Sequence, residues 1–169
     1  KVLVPEEDEV LILGSRSLTF VNTPGHARHH FCVYDNKSQG IFTGDAFGLA
    51  YQELTTDKGP FIFPTSTPVQ FDPDEMKRSI RRLLLLEPQR LFLTHYGMVE
   101  QPALLAETLL SRIDEWVSIA IRSADYFDRV CAIKGEILHF LLNALTEHGW
   151  QLPQEERIKL LAGDALLNS

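Results

Sequence analysis

Two imidazoles and a carboxylate fall just past the ends of apolar, β-type runs, where a rigid scaffold can aim side chains at one point. The first is His26 in Asn22-Thr23-Pro24-Gly25-His26, where Pro and Gly force a sharp turn after a strand and leave the histidine at its tip. The second is Asp45 in Phe42-Thr43-Gly44-Asp45, where Gly44 lets the backbone bend tightly before the carboxylate. The third is His95 in Phe92-Leu93-Thr94-His95, the same strand-then-ligand design again. Two imidazoles and a carboxylate are borderline-hard donors suited to Zn²⁺, Fe or Mn, with bonds of about 2.0–2.2 Å in the zinc case. A carboxylate can also bridge two cations, which a single imidazole cannot.

The elements that must carry these groups can be read from pattern. Glu9–Gly14 and Ser17–Asn22 are short β-type runs around Ser15-Arg16, which predicts a hairpin. Phe31–Asp35 and Gly40–Thr43 flank the polar cluster Asn36-Lys37-Ser38-Gln39 and predict a second. From Ala46 to Phe71, Pro60, Pro64 and Pro68 recur at a spacing that neither a helix nor a central strand tolerates, so this stretch reads as an irregular excursion. Asp72-Pro73-Asp74-Glu75 is a helix start, with Asp as N-cap, Pro in the first turn and Glu in the capping-box position. That helix shows Met76, Ile80, Leu83 and Leu84 on one face and stops at Glu87, before Pro88. Leu91–Thr94 follows as a short apolar strand with the pattern of burial between layers. Three amphipathic helices complete the chain, over Pro102–Ser123, Phe127–His148 and Pro153–Leu167, with Gly149 placed to cap the second.

Composition narrows the class of partner. The 169 residues carry a net charge of −7, and their Lys and Arg are scattered, which excludes a nucleic-acid footprint and an anionic-membrane surface. A small neutral-to-polar substrate fits better. Cys32 and Cys131 lie far apart, in a strand pattern and a helix pattern, so no disulfide is expected and a reducing, cytoplasmic setting is the default. The longest apolar run, Leu83–Leu86, is far too short to span a bilayer.

Taken in order, Thr23-Pro24-Gly25-His26 with His30 four positions on, then Phe42-Thr43-Gly44-Asp45, then Thr94-His95, resemble the later motifs of metallo-β-lactamase-fold hydrolases, especially the glyoxalase II-like branch. Each motif alone is unspecific; the ordered set carries the signal. The resemblance runs through about residue 100. It implies an α/β fold, the αββα metallo-β-lactamase sandwich, with residues 1–100 as its C-terminal half and residues 101–169 as a helical extension packed on it. By the same resemblance His26 binds one metal, His95 a second, and Asp45 bridges both. The implied cofactor is a pair of divalent metal ions, zinc first, with iron or manganese as alternatives. The implied activity is that of a metal-dependent hydrolase, whose dinuclear site activates a hydroxide to attack an ester, thioester, lactone or phosphodiester. The family's leading His-x-His-x-Asp-His motif occurs nowhere in the sequence. The chain is therefore expected to be a fragment, weakly active or inactive alone, that forms a homodimer or associates with a missing N-terminal half. An open edge and bare apolar faces would make it prone to aggregate otherwise.

The remaining candidates have weaker grounds. His30 is expected to orient its neighbours, while His29 points to solvent or the cleft. Tyr96 either polarises a substrate carbonyl, a catalytic role, or covers the site. Phe47, Tyr51, Phe61 and Phe63 either line a substrate pocket or anchor the Pro-rich loop to the core; Phe47, Tyr51 and Phe63 are carried forward as pocket candidates. His139 and His148 lie on helical patterns and read as structural. Asp72, Asp74 and Glu75 are explained by capping, and Glu155-Glu156 by a solvated helix start. Two further functions remain as alternatives. One is a non-catalytic structural or dimerisation module, and the other is a di-iron redox member of the superfamily.

Overall fold

Short runs rich in β-branched and aromatic residues, broken by polar turns, form two consecutive hairpins. The computed structural model describes residues 6–65, 70–95, 97–151, 153, 155, 158 and 161. In the first hairpin β1 (Val10–Leu13) pairs antiparallel with β2 (Arg16–Asn22). Its turn falls on Gly14-Ser15, one residue earlier than expected, because Gly14 accepts the left-handed φ of +61° that a tight hairpin needs. The second joins β3 (Phe31–Asp35) to β4 (Gly40–Gly44). Asp35 closes its turn, its carboxylate accepting from Ser38 Oγ at 2.6 Å and from the Lys37 N–H at 3.2 Å.

The Pro-rich excursion is more ordered than its sequence suggests. It holds two short strands, β5 (Leu49–Ala50) and β6 (Ile62–Phe63), paired antiparallel, with a 3₁₀ turn over Gln52–Leu54 between them. Beyond it, α1 (Pro73–Leu84) begins as predicted: the Asp72 carboxylate accepts from the Asp74 and Glu75 N–H groups. The reciprocal half of the expected capping box is absent. Glu75 turns to Arg78 instead, and the Asp72 N–H donates to the Gly25 carbonyl. The helix ends at Leu84, three residues short of Glu87.

The next strand is β7 (Arg90–Leu93), and β8 (Gly97–Glu100), which the sequence pattern did not announce, pairs antiparallel with it. The order across the six-stranded sheet is β1-β2-β3-β4-β7-β8; β4 and β7 are parallel, joined by a crossover through α1. In β7, Leu91 and Leu93 are buried while Phe92 on the other face is half-buried. Two helices follow, α2 (Pro102–Arg122) and α3 (Arg129–Glu147), and Gly149, at φ +96°, terminates α3 as expected. Of the predicted last helix, Glu155, Ile158 and Leu161 are helical; the rest of that stretch is outside the described residues.

Strand alternation gives the sheet two different faces. One carries Val21, Cys32, Ile41, Leu91 and Val99 against Met76, Ile80 and Leu83 of α1 and Leu105, Leu109 and Ile113 of α2, a single buried core. On the other, the register lines up Phe20, Val33, Phe42, Phe92 and Met98 in a row across five strands. Phe42 stacks on Phe92 with ring centroids 4.6 Å apart, yet Phe42 remains 48% exposed and Met98 46%, as no described helix covers this side. A second core joins the excursion to the helices: Leu54, Phe61 and Phe63 meet Trp116, Ile137, Leu141 and Leu145. Arg112 anchors it. Its guanidinium donates to the Ile62 carbonyl and lies 4.0 Å from the centre of the Phe61 ring. Burial pushes its pKa down to about 10, still charged at neutral pH. Among the described residues no helix is long and apolar enough to cross a membrane.

Candidate functional site

Each of the three sequence-predicted donors reaches the same end of the sheet by a different route. His26 sits in the loop between β2 and β3, which lies against the N-terminal turn of α1. The Pro24 carbonyl accepts from Ser79 Oγ at 2.6 Å, and the Gly25 carbonyl from the Asp72 N–H at 2.8 Å. Gly25 is obligatory there: at φ +135°, a Cβ would sit 2.3 Å from Met76 Cα. Asp45 follows the left-handed Gly44 at the exit of β4, and its carbonyl accepts from Thr65 Oγ1 at 2.7 Å. His95 stands two residues past the end of β7. Because β4 and β7 are adjacent and parallel, Asp45 and His95 leave the sheet side by side.

The geometry brings the three together. His26 Nε2 is 3.5 Å from Asp45 Oδ2, and His95 Nε2 is 3.3 Å from Asp45 Oδ1, so each imidazole addresses a different oxygen of one carboxylate. Burial lowers the His26 pKa; Asp45 opposes that shift and His95 adds to it. A neutral imidazole is the form a cation requires. Asp45 Oδ1 is sealed from solvent and has no hydrogen bond among the described residues. A buried carboxylate oxygen without a hydrogen bond is an atom that a cation can satisfy. The chemistry of the set fits divalent metal ions, but its number falls short. Among the described residues no group of three or more His, Cys, Asp or Glu side chains is arranged to hold one ion.

His30 lies beside the three without joining them. Its Nε2 accepts from the Asp45 N–H at 3.1 Å and its Nδ1 meets Thr23 Oγ1 at 2.9 Å. His29 is exposed in the loop, not in a strand. Of the pocket candidates, Phe47 and Phe63 are corrected: both are fully buried in the two cores and face no open space. Apolar side chains after Asp45 are needed to seat the excursion, which leaves them unavailable to a ligand. Tyr51 is half-buried, its ring 6.0 Å from that of Phe63. Tyr96 lies outside the described residues. His148 is structural, with Nε2 on the Gly59 carbonyl, and His139 pairs with Asn143. Thr23, Cys32 and Thr65, which bond within the site, were not singled out by sequence; hydroxyl and thiol side chains inside strand patterns give no periodic signal.

The family model of the metallo-beta-lactamase superfamily matches residues 1–95. The chain belongs to the metallo-β-lactamase superfamily. A metallo-beta-lactamase fold-containing protein of Sulfurisphaera tokodaii, ST1585, is 32% identical over 109 residues, 64% of this chain and 38% of that protein. The crystal structure of ST1585 aligns at a TM-score of 0.55 and 30% identity, over 69% of this chain and 40% of that one. Similarity in the superfamily also includes a protein of Gallus gallus named acyl-coenzyme A thioesterase MBLAC2, 40% identical over 40 residues, 24% of this chain and 14% of that protein. The metallo-beta-lactamase family protein TTHA1429 of Thermus thermophilus aligns at a TM-score of 0.62 and 18% identity, over 81% of this chain and 43% of that one, a likeness of fold alone. The chain thus spans less than half the length of each of these relatives, all members of a metal-dependent superfamily that includes hydrolases.

Proposed function

We propose that this chain carries the second half of a metal-dependent hydrolase site, in which His26 and His95 each ligate one divalent cation and Asp45 bridges the two. The observation that supports this reading is the division of one carboxylate between two imidazoles, at 3.5 and 3.3 Å. Zinc is the cation that the donor set favours, with iron or manganese as alternatives. When bound, such a pair supplies Lewis acidity and a water nucleophile at neutral pH. The residues of this chain contribute the rest. Burial favours the neutral form of His26, Asp45 presents one oxygen to each imidazole, and His95 is half exposed. The substrate is proposed to be a small molecule with an electrophilic carbonyl or phosphoryl centre; the 40-residue similarity to a protein named as a thioesterase puts thioesters first. Metal analysis tests the reading. In a polypeptide that contains this chain together with the ligands it lacks, close to two ions per chain are expected, and Asp45→Asn loses them; retention of both by that variant contradicts it.

A second reading concerns association. The apolar row of Phe20, Val33, Phe42, Phe92 and Met98, exposed at Phe42 and Met98, supports a role in which this sheet packs face to face on another, supplied by an N-terminal half or by a second copy. If the chain binds no metal even in that assembly, a structural or dimerisation module is what remains.

A further inference from the structure

Asp45 can bridge only if its Cα–Cβ bond leaves the sheet in one direction, and a chain of hydrogen bonds bearing on that direction runs beneath it. Every proton in that chain can be assigned. A backbone N–H only donates, so the Asp45 N–H, 3.1 Å from His30 Nε2, requires a lone pair on that nitrogen. The imidazole is then neutral with its proton on Nδ1, which donates to Thr23 Oγ1 at 2.9 Å. The Cys32 S–H donates to the Thr43 carbonyl at 3.2 Å, and burial, which pushes this thiol up to about 12, keeps that proton in place. With the S–H committed, the Thr23 O–H is the donor in its 3.2 Å contact with Cys32 Sγ.

The chain therefore starts on the N–H of Asp45 and ends on the carbonyl of Thr43, the two residues that flank Gly44. Gly44 has φ +52°, and a Cβ on it would lie 2.5 Å from His30 Nε2. The imidazole is packed into the concave side of this turn while its hydrogen bonds hold both rims. On the far side Thr65 Oγ1 fixes the Asp45 carbonyl at 2.7 Å.

We propose that His30, locked in its Nδ1–H tautomer by Thr23 and Cys32, is the positioning residue for Asp45 and is not itself a metal ligand. Both of its ring nitrogens are occupied, one accepting and one donating, so neither is free for a cation although its ring centre is 6.0 Å from that of His26. The inference rests on the bridging role proposed for Asp45, but the tautomer and the clamp on the Gly44 turn stand apart from it.

The test uses the full 169-residue chain, isotope-labelled. Nitrogen NMR is expected to show a pyridine-type Nε2 and a pyrrole-type Nδ1 for His30, with a coupling across the hydrogen bond between the Asp45 amide nitrogen and Nε2. Thr23→Val, which keeps the volume and removes the acceptor, is expected to abolish the coupling and let the tautomers exchange; Thr23→Ser restores both. In zinc titrations of the same three sequences, each within a polypeptide that also supplies the ligands this chain lacks, Thr23→Val weakens binding by about 10- to 100-fold and Thr23→Ser recovers it. A His30 protonated on Nε2, or a coupling that survives Thr23→Val, overturns the inference. So does zinc affinity that Thr23→Val leaves unchanged. Should that longer polypeptide show the tautomer and coupling yet bind no zinc, the metal reading of Asp45 fails and the inferred positioning role fails with it, while the clamp on the turn remains.

Discussion

At the scale of single residues, the site depends on glycines that permit a turn and on buried groups that hold a protonation state. Gly44→Ala forces a side chain into a left-handed turn and against His30, and is expected to cost about 2 kcal/mol or more in denaturant unfolding. A variant as stable as the parent would show that the turn is not clamped. The cysteines give a second check. Cys131 is exposed and Cys32 buried, so a thiol reagent is expected to modify one cysteine in the native chain and the second only after denaturation. Cys32 also sets an alkaline limit. Its thiol stays protonated in the fold up to about 12, while the unfolded thiol ionises near its ordinary value of 9.0, so stability is retained below 9 and falls as pH rises from there towards 12. Melting temperatures measured at rising pH through that window should decline, and Cys32→Ser should flatten the part of the decline that belongs to this thiol. The convergence of the three candidate side chains was foreshadowed by Pro and Gly in the turns before His26 and Asp45, and for His95 only by its place after an apolar strand. The Thr23–His30–Cys32 relay was not, because its members are joined by folding and not by spacing.

At the scale of elements, local chemistry was the reliable guide. Both hairpins, the Asp72 cap and the Gly149 terminator formed close to where turn and cap residues placed them. Asp72→Ala removes the acceptor for two N–H groups at the start of α1 and is expected to cost about 1 kcal/mol, read by chemical denaturation; no change would mean that solvent replaces the cap without loss. What could not be read were the pieces whose stability is non-local. The two-residue strands β5 and β6 are too short to show alternation, and they exist because Phe61 and Phe63 are buried against α2 and α3 with Arg112 pinned to the Ile62 carbonyl. Strand β8 is held by pairing with β7 and by Val99 in the core, a partnership that a four-residue run of mixed polarity does not reveal. Phe47 and Phe63 misled for the same reason. An aromatic beside a site and an aromatic beneath it look alike in one dimension.

At the scale of the molecule, one face of the sheet carries the core, while no described helix covers the other, where Phe42 and Met98 are exposed. The row from Phe20 to Met98 and the four exposed apolar residues of β1 predict that the chain self-associates or takes up a partner sheet. Sedimentation should show species heavier than a monomer, and Phe42→Lys should shift them towards the monomer. A sharp-melting monomer at all concentrations would contradict this. The central claim is that His26, Asp45 and His95 act on cations together, and zinc titration followed by NMR of these three side chains, in a polypeptide that also supplies the ligands this chain lacks, tests it most directly. Both imidazole Nε2 resonances and the Asp45 carboxyl carbon are expected to move in concert along one binding curve; histidines that respond on separate curves from a silent Asp45, or none that respond at all, would contradict it.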